Sequence, residues 1–326
     1  MADMEKLAVL LLAHGTPDTI EEIPEYLGNV TGGRPMPQSV IEEIQHRYSL
    51  IGHSPLTSIS LAQGRNLSEA IGLPVYVGMR NWKPYIQDVV AQMRSDGITG
   101  AVAICLAPQN SRTSVGLYRR VVMAAAGDSI TIDFVEGWAD HPRLADAFAE
   151  RLRPVLARSN RSGPATVLFT AHSVPCRTVQ VQPVAESQAG RPSHAEPDPY
   201  AVEAKHTAAL VAERVGLTPK QWVFAFQSQG VAGGPWIGPT VEDTLTALHQ
   251  HGVSSVIVHP IGFLCDHVEI LYDVDIAFRE HAAGLGMQLD RPESLNESAL
   301  LTAALADLAQ SGLARLKEKK AAATAQ

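Results

Sequence analysis

The sequence predicts an α/β protein built twice over, as two similar domains, each a parallel sheet flanked by helices, with a cleft between them. Three observations carry this. Short β-rich runs alternate along the chain with stretches of three-and-four apolar spacing, the pattern of parallel sheets covered on both faces. Landmarks of the first half return in the second at nearly constant spacing. In each half an apolar run ends in histidine, a small residue and, two positions further on, a proline. Ligands of open α/β sheets gather outside such strand ends, where side chains leave the core while the backbone still holds them.

In chain order, the candidate strands of the first half are Leu7 to Leu12, Val75 to Val77, Ala101 to Leu106 and Ile130 to Val135. Those of the second are Thr166 to Thr170, Trp222 to Phe226, Ser255 to His259 and a short one near Met287 to Leu289. Between them, Tyr85 to Arg94, Arg143 to Ala157, Val202 to Val215 and Val241 to His249 have amphipathic helical spacing. Ser, Asn, Arg, Gly and Pro cluster from Arg158 to Pro164 and mark the linker. The expected division is therefore residues 1–160, residues 161–318 and a polar, alanine-rich tail over 319–326. Gln180 to Glu196 has no apolar period and reads as a loop.

The duplication is visible in detail. Ala13-His14-Gly15-Thr16-Pro17 returns as Ala171-His172-Ser173-Val174-Pro175, an offset of 158. Trp82 with Pro84 and Asp88 is echoed by Trp236 with Pro239 and Asp243, Gly97 by Gly252, and Leu117-Tyr118 by Leu271-Tyr272, at offsets of 154 or 155. Equivalent strand ends would bring His14 and His172 to opposite walls of one cleft, a common place for ligands. One acidic position breaks the symmetry, because 154 residues before Glu269 stands Val115. Glu269 and Asp273 are four apart and share a helical face, and Asp266 is placed to cap that helix. Carboxylates opposite His172 would form a site of hard oxygen and imidazole suited to a divalent transition metal.

Composition narrows the classes. Hydrophobic residues at 45% and charged residues at 18% fit a globular protein, and no apolar run is long enough to span a bilayer. Leu7 to Ala13 is too short and too weakly flanked by positive charge for a signal peptide, so a cytoplasmic location is expected. A net charge of −8 argues against a general nucleic-acid surface. Cys105, Cys176 and Cys265 are far apart and suggest neither a disulfide framework nor an iron-sulfur cluster.

Taken together, these motifs resemble the ferrochelatases, which put ferrous iron into a porphyrin. The likeness rests on Ala13-His14-Gly15-Thr16-Pro17, on Arg47-Tyr48 with Gly52-His53-Ser54-Pro55-Leu56, and on Tyr76-Val77-Gly78-Met79-Arg80-Asn81-Trp82-Lys83-Pro84. It continues through Thr170-Ala171-His172-Ser173-Val174-Pro175, Gln227-Ser228 with Pro235-Trp236-Ile237-Gly238-Pro239, and Gly262-Phe263 with Asp266-His267-Val268-Glu269.

The resemblance implies two Rossmann-like domains of chelatase type, with His172 and Glu269 as the catalytic and metal-contacting pair. It implies substrate contacts from His14, Arg47, Tyr48 and Ser54, to which Arg34, Arg80 and Arg112 are plausible additions because guanidinium suits propionate. It further implies Fe(II) as substrate rather than cofactor, no iron-sulfur cluster, no nucleic-acid partner and a monomer. Soluble bacterial relatives make coproporphyrin III the expected porphyrin, with protoporphyrin IX as the alternative. A cobalt or sirohydrochlorin chelatase of the same fold and a non-catalytic haem carrier are the competing readings. Two departures from the family stand out: His14 where relatives often have tyrosine, and Ala277 where many carry an acid.

Overall fold

The structure is a computed structural model that describes residues 6–159, 164–179, 197–230 and 234–324. The first half runs β1 (Leu7–Ala13), α1 (Ile23–Thr31), α2 (Gln38–Ile51), α3 (Leu56–Ile71), β2 (Val75–Met79), α4 (Ile86–Ser95), β3 (Gly100–Cys105), α5 (Val115–Ala126), β4 (Thr131–Val135) and α6 (Pro142–Ser159). The second runs β5 (Thr166–His172), α7 (Cys176–Val179), α8 (Tyr200–Arg214), β6 (Trp222–Gln227), α9 (Val241–Gln250), β7 (Ser255–Pro260), α10 (Val268–Leu271), a π-helical turn (Asp273–Phe278), α11 (Arg279–Gly284) and β8 (Gln288–Asp290). The long α12 (Ala299–Thr324) closes the chain.

Each half forms a four-stranded sheet, ordered β2-β1-β3-β4 and β6-β5-β7-β8, with every pairing parallel. The duplication expected from the sequence is therefore a repeated topology. It extends to single hydrogen bonds, since Met79 N–H donates to Pro84 O at 2.7 Å and Phe226 N–H to Pro239 O at 2.8 Å.

β1 is buried at all seven positions because helices cover both faces of its sheet, which is why it reads as an unbroken apolar run. The period of two divides its side chains. Val9, Leu11 and Ala13 enter a core shared with β5, α6, α8 and α12, whereas Ala8, Leu10 and Leu12 pack under α4 and α5. On the second sheet, Leu168, Val256 and Val258 pack under α9 and the π turn. Where a cap is needed the sequence supplies one, as at Thr240, whose hydroxyl accepts the Asp243 N–H at 3.1 Å and starts α9.

Two expectations differ from the structure. Residues 299–318 were assigned to the second domain, yet α12 packs on β3, β4, α3 and α6 of the first half. Its approach is so close that a Cβ on Gly312 would lie 2.5 Å from Val102 Cγ1. The tail expected from 319 continues this helix to Thr324, and Lys319 joins Arg315 in binding the buried Asp133 carboxylate. Helical spacing carries no record of which sheet a helix will cover. Asp266 does not cap α10, because His267 holds that position. Asp266 instead accepts hydrogen bonds from Arg291, Ser294 and Asn296. The loop expected over Gln180 to Glu196 lies outside the described residues.

Candidate active site

The carboxyl ends of β1, β3, β5 and β7 open onto one cavity of about 370 Å3 between the halves, with His14, His172, His267 and Glu269 in its walls. His172 is the last residue of β5, in register with Gln227 of β6. Its backbone carbonyl accepts the Tyr200 hydroxyl at 2.9 Å. Glycine is required at 262 behind it, where a Cβ would sit 2.8 Å from that of Ala171. Phe263 and Trp236 flank the His172 ring at centroid separations of 6.2 and 6.4 Å. Nδ1 faces the carbonyl oxygen of Ser173, which can only accept, so Nδ1 carries the proton and Nε2 keeps a lone pair. Burial lowers the pKa of His172 below its ordinary value, and nearby Glu269 offsets this only in part, so the ring is neutral at pH 7.

Glu269 owes its charge to His267. Nδ1 of His267 faces the Cys265 carbonyl at 2.9 Å, while Nε2 lies 3.0 Å from Glu269 Oε2. Both ring nitrogens therefore meet acceptors and both carry protons, giving an imidazolium beside a carboxylate. Burial opposes charge on both groups, but the pair prevails. His267 is raised above its usual pKa, and Glu269 is held well below the carboxylate range. Gln227 Nε2 donates to the Glu269 backbone carbonyl at 3.0 Å, and Thr170 Oγ1 donates to Gln227 Oε1 at 2.6 Å, tying α10 to the sheet.

On the other wall His14 is neutral, its pKa lowered to about 3 by burial and then by the Arg80 charge. Its ring is already engaged, with Nε2 3.0 Å from Tyr26 Oη and Asn81 Nδ2 3.0 and 3.2 Å from Nε2 and Nδ1. Among the described residues no three His, Cys, Asp or Glu side chains are grouped to hold a metal ion. The geometry offers one free imidazole lone pair, one fixed carboxylate and apolar walls, a place for a cation to meet a proton-losing ligand.

The model of the ferrochelatase family matches residues 6–313. The chain is 66% identical to the ferrochelatase of Acidobacterium capsulatum over 97% of its own length and 98% of that protein. The chain belongs to the ferrochelatase family. Its reaction is the insertion of iron into a porphyrin in haem synthesis. It is also 36% identical to the ferrochelatase of Deinococcus radiodurans, covering 94% of this chain and 96% of that one. Identity to the coproporphyrin III ferrochelatase of a Geobacillus species is 32%, covering 93% and 96%. A more distant likeness, to the sirohydrochlorin chelatase SirB of Bacillus subtilis subspecies spizizenii in complex with cobalt, has a TM-score of 0.55 at 11% identity over 94% and 95% of the two chains. At that identity it shows a common fold.

Of the ferrochelatase residues expected from sequence, the structure brings His14, Arg80, His172 and Glu269 to one cavity, and Arg34, Arg47, Tyr48, Ser54 and Arg112 lie outside its lining. Arg47 binds Asp273 at 3.3 Å and Glu43 at 2.9 Å, over the ring of Tyr272. Asp273 also accepts the Ser228 hydroxyl. Burial raises the Asp273 pKa to about 6 despite these bonds. Tyr48 is buried beside Ile23, Tyr26 and Trp82, with Ser54 buried near it. Arg34 is exposed and donates to the Thr31 carbonyl. His267 stands out in the sequence only as part of a motif. Its signal was position, two residues before Glu269 at a helix start.

Proposed function

We propose that this ferrochelatase inserts Fe(II) into coproporphyrin III, with His172 as proton acceptor and Glu269 as the group that draws iron in. Insertion breaks both pyrrole N–H bonds as four nitrogen–iron bonds form, and His172 accepts each of the two protons in turn and passes it to solvent. The observation that carries the reading is the free Nε2 of a neutral His172 in the same cavity as a carboxylate kept ionised by His267. Neutral imidazole removes a pyrrole proton. Glu269 lowers the energy of the approaching cation, and both side chains contact the metal during transfer. His14 meets the porphyrin from the opposite wall, while Arg34, Arg47, Tyr48 and Ser54 are assigned to its periphery by family likeness. Coproporphyrin III is favoured by the relatives named for it, and the same likeness supports a cytoplasmic monomer, testable by cell fractionation and sedimentation.

The test is anaerobic incubation of the purified protein with ferrous iron and either coproporphyrin III or protoporphyrin IX, following loss of free-base absorption. Faster metallation of coproporphyrin III is expected. Absence of turnover with both overturns the assignment.

A further inference from the structure

Arg80 follows β2 and lines the cavity on the first-half wall. Its Nε is shut off from solvent and has no hydrogen-bond partner. Among the described residues no carboxylate lies within ion-pair reach of its guanidinium. Contrast Arg291, which pairs with both Asp266 and Asp275. A part-buried cation whose shielded Nε lacks a partner is costly to keep, so its retention points to a partner that arrives from outside. Its setting is prepared for one. The guanidinium lies over the Tyr118 ring, 5.2 Å from the centroid. Tyr118 is in the first turn of α5, whose N-terminus brings Thr113 and Ser114 to the same wall. Ser114 is the N-cap residue, yet its hydroxyl makes no capping bond. A guanidinium, a free hydroxyl and the positive end of a 12-residue helix thus surround one part of the cavity.

We propose that Arg80, with Ser114 and the start of α5, binds a porphyrin carboxylate that points into the protein, and so selects a macrocycle bearing propionates around its whole rim. The inference rests on the porphyrin-metallation reading and adds a specificity determinant to it. Protoporphyrin IX carries two propionates on neighbouring pyrroles, and both can face solvent from one edge. Coproporphyrin III carries one on each of four pyrroles, so any orientation in a cleft turns some inward, and only this substrate needs an interior cation. Glu269 on the opposite wall repels a carboxylate there, which leaves the Arg80 side for it.

The test compares Arg80→Met and Arg80→Lys with wild type in the full chain, titrating coproporphyrin III and protoporphyrin IX by absorbance without metal, then measuring iron insertion. Arg80→Met should raise the ratio of the Kd for coproporphyrin III to that for protoporphyrin IX by about tenfold or more, as loss of a charged hydrogen bond predicts, with Arg80→Lys between. Without porphyrin, Arg80→Met should melt no lower than wild type. Equal weakening of both porphyrins, an unchanged ratio, or a lowered melting temperature overturns the proposal. If wild type inserts no iron while the Arg80-dependent ratio holds, the metallation reading fails and the carboxylate site stands. Insertion with an unchanged ratio gives the reverse.

Discussion

Where β1 ends, His14 is neutral, held by Tyr26 and Asn81, with the Arg80 charge nearby. Where β5 ends, His172 is neutral with a free Nε2, and a fixed carboxylate shares its cavity. The contrast extends to the next strands. The echoed tyrosines Tyr118 and Tyr272 each carry an arginine over the ring, but Arg47 is neutralised by Asp273 and Glu43, whereas Arg80 has no acidic partner among the described residues. One scaffold used twice therefore offers a cationic wall and an anionic wall. The difference teaches that duplication supplies matched strand ends, while a few substitutions, Glu269 against Val115 above all, decide which wall carries the negative charge.

The sharpest way to break this comparison is to remove the chemistry of the second half. Glu269→Gln and His172→Ala should each lower the iron-insertion rate by roughly 100- to 1,000-fold while porphyrin binding persists, as for loss of a positioned acid–base group. A loss below tenfold in stopped-flow metallation would place the work elsewhere. Next comes His267→Gln, which leaves Glu269 buried without its counter-charge. The Glu269 pKa should rise and the acid limb of the pH–rate profile should move to higher pH, with a stability loss of about 3 kcal/mol measurable in urea.

The first half should respond mainly in stability. The folded pKa of His14 is depressed to about 3, so as pH falls below 6.5 the unfolded chain takes up a proton that the folded one refuses. Stability from this residue is therefore complete above pH 6.5 and lost toward pH 3, at up to about 1.4 kcal/mol per pH unit. His14→Ala should flatten that slope in denaturant titrations, and its effect on insertion should be smaller than that of His172→Ala. The smallest effect is expected from Arg315→Ala, at about 1 kcal/mol or less, because the arginine is half exposed and Lys319 still binds Asp133. A melting point unaffected by this change would leave the anchoring of α12 to its apolar face and to Lys319.

Much of the fold was legible because buried parallel strands are apolar on both faces. β1 and β5 stand out in sequence for the reason that they are central in their sheets. That His172 and Glu269 share a cleft was legible because one ends such a strand and the other lies in the helix that follows one. What periodicity could not carry was long-range partnership. Nothing local to Arg47 shows that Asp273 will claim it, and nothing in the alanine- and leucine-rich spacing of α12 says which half it covers. The role of His267 was hidden because a two-residue step to Glu269 acquires meaning only when a helix start turns both side chains toward each other.

The return of α12 to the first sheet has a consequence for the order of synthesis. Leu301, Leu305, Ala309 and Leu313 join the same core as Val9, Leu11 and Val102, yet they emerge from the ribosome after all eight strands. The first half is thus made first and finished last. One face of its sheet is completed only by this helix, so the first half gains its last packed layer after every strand of the second half has been made.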